Sequence, residues 1–206
     1  MKPNKQILED YNLAYAAGIL IGFGVIINTI TTNAIVGSLF FSFGLLTIIQ
    51  LHLPLFTGRI GFIQKFDRKY IRILIANLLG AITTIGLYCV IKPEFSVVLS
   101  QLGSIKFSKG YLQIFICGIL CGALIHFAIK AKKDIVTVLA IAIFILIGAE
   151  HCVADFPFLI THLNFENIGK FLLIILGNSL GAFVIEKIST PIIKENKNAI
   201  CKDSCQ

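Results

Sequence analysis

Six runs of apolar residues, each near the ~20 needed to cross a hydrocarbon core, take up most of the chain, with polar residues gathered between them. The pattern predicts helix 1 at roughly 11–31, helix 2 at roughly 34–50, helix 3 at roughly 70–91 and helix 4 at roughly 110–130. Helix 5 is expected to start near Asp134 and run into EHCVADFP, where Pro157 denies the backbone a donor and stops it. Helix 6 is expected over roughly 167–189, closed by Pro191. Between helices 2 and 3 lies an irregular stretch, LHLPLFTGRIGF, from Leu51 to Phe62. The first run is too long for a signal h-region and has no small-residue cleavage site, so a retained span is expected.

Composition agrees with a membrane protein. The 206 residues are 56% hydrophobic and 14% charged, against about 25% charged in a soluble domain. One transmembrane domain over 1–206 is expected, with a polar tail at 190–206. Cys89, Cys117, Cys121 and Cys152 lie in or beside apolar runs and read as small packing residues. Cys201 and Cys205 form a lone CxxxC in the tail, too little to assign a metal site.

The basic residues set an orientation. With a cytoplasmic N-terminus, fourteen of the 18 Lys and Arg fall on the inside. These are Lys2 and Lys5, the Arg59–Arg72 loop, Lys130 to Lys133, and Lys187 with the tail. Lys92, Lys106, Lys109 and Lys170 are left outside. This positive-inside bias puts both termini in the cytoplasm of a plasma (inner) membrane, multi-pass protein. Spread over loops in this way, the net charge of +7 reads as topology signal and lipid headgroup contact, so no nucleic-acid partner is expected.

Two short matches recur near a spacing of 100 residues: GILIG at Gly18–Gly22 with GILCG at Gly118–Gly122, and NLLGA at Asn77 with NSLGA at Asn178. Between these anchors, Gln50 and His52 fall against Glu150 and His151, and Thr57 against Pro157. Each half, about 11–91 and about 110–189, then carries three helices. An odd number forces an inverted repeat, with a site near the midplane where the broken helices 2 and 5 meet. The expected fold is therefore all-α, a 3+3 inverted repeat of aquaporin-like architecture.

Polar residues inside spans are costly and mark function by default. Helix 5 places Glu150, His151 and Asp155 together. Non-helical backbone at membrane depth is tolerated only against protein or a water-filled cavity, and both irregular segments would supply such backbone. His151 is the functional candidate; Glu150 is assigned to fixing the broken helix near the pore. His52, His126 and His162 sit near helix ends and read as interfacial or packing histidines.

Leu55-Phe56-Thr57-Gly58 and Glu150-His151-Cys152-Val153-Ala154-Asp155 resemble the two signature segments of the formate/nitrite transporter family. GNSLGA in helix 6 and GILC in helix 4 are similar to that family too, and the resemblance spans roughly 11–189. It implies a central pore histidine, His151, with Thr57 as its hydroxyl partner. It also implies one hydrophobic constriction at Phe144 and another at Leu45 and Phe56. A vestibule lysine would be Lys106, or else Lys109, and the assembly a homopentamer with one pore per protomer. Departures from the family pattern are Cys152 for a usual serine, Asp155 for a usual asparagine, and Arg59 after Thr57-Gly58. Arg59 and Asp155 are expected to form a compensating pair.

The expected activity is passage of a small monovalent weak-acid anion, such as formate, nitrite or hydrosulfide, with protons as the second partner. A bare anion between apolar constrictions loses its hydration with no return. A histidine titrates near pH 6.5 when unperturbed, so an anion protonated near His151 crosses as a neutral molecule. No cofactor, metal or enzymatic activity is expected. An aquaporin-like neutral-solute channel is the alternative, although neither break carries Asn-Pro-Ala. An intramembrane enzyme is a weaker one, because neighbouring Glu150 and His151 point to different helix faces.

Overall fold

The computed structural model describes residues 3–65 and 67–203, with side chains for 8–65 and 67–190. Its elements among these residues are all helical. In chain order they are α1 (Pro3–Ile30), α2 (Ala34–Gln50), α3 (Phe56–Arg59) with a 3-10 turn (Ile60–Phe62), and α4 (Arg68–Ile91). Then follow α5 (Phe95–Phe107), α6 (Tyr111–Ala131), α7 (Asp134–Leu146), α8 (Cys152–Thr161) and α9 (Phe165–Asp203). Four segments are long and apolar enough to cross a membrane: Leu8–Ile30, Arg68–Ile91, Tyr111–Ala131 and Phe165–Thr190. Large apolar side chains cover the outer surface, Val90 being 79% and Leu112 72% exposed. Such a surface is stable against lipid and not against water, and the protein is integral to a membrane.

α1 packs along α4, α6 along α9, and α2 crosses between α1 and α7. Glycines allow the close approach of the two long pairs. A Cβ on Gly18 would overlap the Asn77 backbone, and one on Gly122 would overlap the Asn178 backbone. Gly80 and Gly181 play the same part against Tyr15 and Ile119. The structural counterpart of Gly18 is thus Gly122, one turn beyond the Gly118 that the sequence match pairs with it. Apolar runs carry little register information: GILIG also matches Gly122-Ala123-Leu124-Ile125-His126 at three of five positions.

The breaks are made by backbone motifs, and prolines do not make them. α2 ends with His52 at φ 54°, its N–H on Ile49 O and the Leu53 N–H on Ile48 O. α7 ends with Gly148 at φ 70°, its N–H on Ile145 O and the Ala149 N–H on Phe144 O. Both are Schellman caps, in which a left-handed residue reverses the chain and satisfies the last carbonyls. Pro157 lies inside α8 and does not stop it, since a buried helix with packed neighbours tolerates one lost donor. Pro191 does not close the last helix either, because α9 continues to Asp203. That proline lies past the apolar span, where water can satisfy the freed carbonyl. The tail assigned to 190–206 thus begins as helix. Cys201 and Cys205 lie outside the residues whose side chains are described. α5 fills a segment for which the sequence predicts no element.

Two asparagines hold the chain where the helices stop. Asn77 accepts from the Phe56 N–H (2.8 Å) and donates to Ala14 O (2.7 Å) and Pro54 O (3.0 Å). Asn178 accepts from the Cys152 N–H (2.9 Å) and donates to Gly118 O (2.9 Å) and Glu150 O (2.8 Å). Both are fully buried. The counterpart of His52 is thus Gly148, and that of Pro54 is Glu150, four residues from the sequence pairing. Replacing either asparagine by leucine keeps the branched shape but strands two backbone groups of the break, Ala14 O and Gly118 O being within helices. Because a stranded buried group costs about 1–3 kcal/mol, Asn77→Leu and Asn178→Leu should each lose about 2–4 kcal/mol. Detergent-denaturant unfolding measures it, and a change below about 0.5 kcal/mol would show that these bonds do not hold the breaks.

Candidate functional site

The caps at His52 and Gly148 point the two short helices, α3 and α8, toward one another across the interior. Thr57 stands in the first turn of α3 and His151 at the N-cap of α8. Their side chains meet with Thr57 Oγ1 and His151 Nε2 2.9 Å apart, both residues buried. The other ring nitrogen is also engaged: the Ala154 N–H donates to His151 Nδ1 at 3.2 Å. An imidazole nitrogen that accepts a bond carries no proton, so the network assigns the ring proton to Nε2, which donates to Thr57. The Thr57 hydroxyl hydrogen is then left to donate to a further acceptor. Protonating Nδ1 would set two N–H groups against each other.

Apolar side chains pack around this pair. The Phe144 ring lies 6.2 Å from the His151 ring, and Phe41 packs edge-on against Phe144 at 5.7 Å. Leu45, Leu55 and Phe56 are buried within the same cluster. Phe144, Leu45 and Phe56 are those that the family resemblance implies; Phe41 and Leu55 are not among them. Phe41 lies one turn before Leu45 on α2, and that spacing is the signal that could have found it.

The charged residues form one group, differently partnered than expected. Lys106 Nζ lies 2.5 Å from Glu150 Oε2 and 2.9 Å from Asp155 Oδ1. Lys109 pairs with the other Glu150 oxygen and reaches Gly148 O at 3.3 Å. Glu150 and Asp155 are 1% and 3% exposed, Lys106 28%. Both lysines considered for the vestibule are therefore engaged by carboxylates. Asp155 Oδ2 is buried with no partner.

Arg59 does not pair with Asp155. It is exposed and donates to His52 O at 3.3 Å, lining a cavity of about 810 Å³ with Lys69, Arg72, Lys132, Lys133 and Leu45. The two charges stand at different ends of the break, because α3 carries its last residue away from α8. Near that cavity, His126 is buried with Nε2 2.7 Å from Glu186, and Lys130 binds the same carboxylate at 2.8 Å. His126 thus anchors the 3-10 turn, with Phe62 stacked on its ring at 4.7 Å. Among the described residues no cluster of three His, Cys, Asp or Glu is placed to hold a metal ion.

Comparison with known proteins gives a consistent picture. The sequence model of a family described as formate/nitrite transporter matches residues 2–189. A solved pentameric formate channel with formate bound superposes with a TM-score of 0.81 at 22% identity, covering 94% of this chain and 99% of its own. An ion channel described as of the FNT family gives 0.75 at 20% identity, covering 88% of each chain. None of the curated proteins compared matches.

The ring assignment is open to direct test. Histidine-selective ¹⁵N spectra, with His151→Gln to identify the signal, should show His151 as the neutral Nε2–H form at neutral pH. An Nδ1–H form or an imidazolium there would contradict the network.

Proposed function

The chain belongs to the formate/nitrite transporter family, and from that membership we propose that it carries a small monovalent weak-acid anion, such as formate, nitrite or hydrosulfide, across the plasma membrane. The path runs through the buried Thr57–His151 pair. It narrows at Phe144 with Phe41 on one side, and at Leu45 and Phe56 on the other. The observation that carries this reading is the 2.9 Å contact between Thr57 and His151, with the second ring nitrogen already occupied. That arrangement fixes a hydroxyl donor at the middle of an otherwise apolar passage. An anion accepting from Thr57 takes its proton beside His151 and leaves as the neutral acid, whose transfer past Phe or Leu costs far less than that of an ion.

The whole chain forms one transmembrane domain, of halves at about 11–91 and about 110–189. The matching asparagine clamps and paired caps support two inverted three-helix halves, with helices 2 and 5 each broken into two pieces. The bias of basic residues supports cytoplasmic termini. On that orientation the cavity around Arg59 opens inward and gathers anions, while Lys106 and Lys109 stand toward the outer mouth. The pentameric assembly of the formate channel with this fold supports a homopentamer with one path in each protomer.

Liposomes bearing the protein should take up formate, nitrite or hydrosulfide faster as the outside pH falls from about 7.5 to about 5.5, because acid supplies the co-transported proton. Thr57→Val, which removes the hydroxyl at constant volume, should lower uptake about tenfold or more. Uptake of no weak acid by wild type would overturn the anion assignment.

A further inference from the structure

Building on that transport reading, we propose that Asp155 is the residue that hands the proton to the anion, through its free Oδ2, and that the Lys106–Glu150–Lys109 cluster switches its net charge as it does so. His151 is poorly suited to be the source. Its Nε2–H is the only proton of a neutral ring, and giving it up would leave an imidazolate. Taking up a second one would break the bond from the Ala154 N–H. A donor is therefore sought nearby. Asp155 stands one turn into α8, its own N–H on His151 O at 2.8 Å. Its Oδ1 is held by Lys106 at 2.9 Å, and its Oδ2 is buried with no N–H or O–H donor to it, beside the Glu150 carboxyl. A bare carboxylate oxygen in that position would be stranded from water, whereas a protonated one carries a donor for an incoming ligand.

Charge counting shows why the position matters. The groups facing Asp155 are Lys106 from α5, Glu150 before α8, and the thiols of Cys121 and Cys152; Lys109 joins through Glu150. With Asp155 protonated, two ammonium groups face one carboxylate, and the cluster carries one net positive charge that draws in an anion. The Asp155 O–H bond then breaks as an O–H bond forms on the anion, the electron pair staying on Oδ2. The cluster is now neutral, Lys106 holds the new carboxylate, and the neutral acid has no charge to retain it. A proton from water at the mouth restores Asp155. Attraction of the ion and release of the acid thus follow from one proton.

The test compares formate uptake by wild type and Asp155→Asn in liposomes at about pH 5.5 and about pH 7.5, with infrared difference spectra of both proteins. Asp155→Asn keeps the shape and the Lys106 contact but holds the cluster positive. Its uptake should fall at least about tenfold and lose its pH dependence. Wild type should show a protonated-carboxyl band that vanishes as pH rises and is missing in the variant. An unchanged pH profile in Asp155→Asn, or no protonated carboxyl in wild type at either pH, overturns the proposal. Wild type that transports formate while either result holds leaves the anion assignment standing; wild type that takes up no weak acid overturns both. The wild-type spectrum decides even if the variant folds poorly.

Discussion

Backbone that leaves the helix at membrane depth must find hydrogen-bond partners inside the protein, and the structure answers that demand with two asparagine side chains. Asn77 and Asn178 each serve two backbone groups of a broken segment and one within a helix. Their placement depends on Gly18 and Gly122, which let the neighbouring long helices come close enough for one carboxamide to reach both. Without these contacts the two short helices would have no fixed position. Thr57 and His151, which belong to different segments 94 residues apart, would then not meet.

The same local order sets the chemistry. The N-cap position of His151 gives the Ala154 N–H a partner and leaves one ring tautomer. The pair therefore presents a neutral hydroxyl donor among apolar side chains. Lys106 and Lys109, read alone, would make a strongly positive patch. Paired with Glu150 and Asp155 they do not. Away from that cluster, exposed Arg59 lines a wide cavity with Lys69, Arg72, Lys132 and Lys133, and with Asp10 and Asp134. That cavity is net basic, while the Lys106–Lys109 cluster is nearly balanced.

Much of this was legible in the sequence, because lipid imposes lengths and polarity that a linear chain must display. The long spans, the two irregular segments and His151 followed from apolar runs and the residues that interrupt them, and Thr57 from the resemblance of its segment to the family's. What failed was whatever depends on register or on a backbone angle. Pro157 looked like a stop, yet Gly148 makes the turn, since a proline removes a donor while only a left-handed residue reverses the chain. GILIG and GILCG matched one turn out of place, because glycine spacing fits more than one register. Arg59 and Asp155 were paired on charge alone, and Lys106, on a helix the sequence did not predict, already held Asp155.

The central claim is that an anion enters and a neutral acid crosses between the apolar walls. The most direct measurement is membrane potential recorded together with formate uptake in the same liposomes. The account predicts uptake with one proton per formate, inside acid, and no inward negative current. Formate entry that drives the interior negative, in proportion to the amount taken up, would mean that the ion itself crosses and would contradict it.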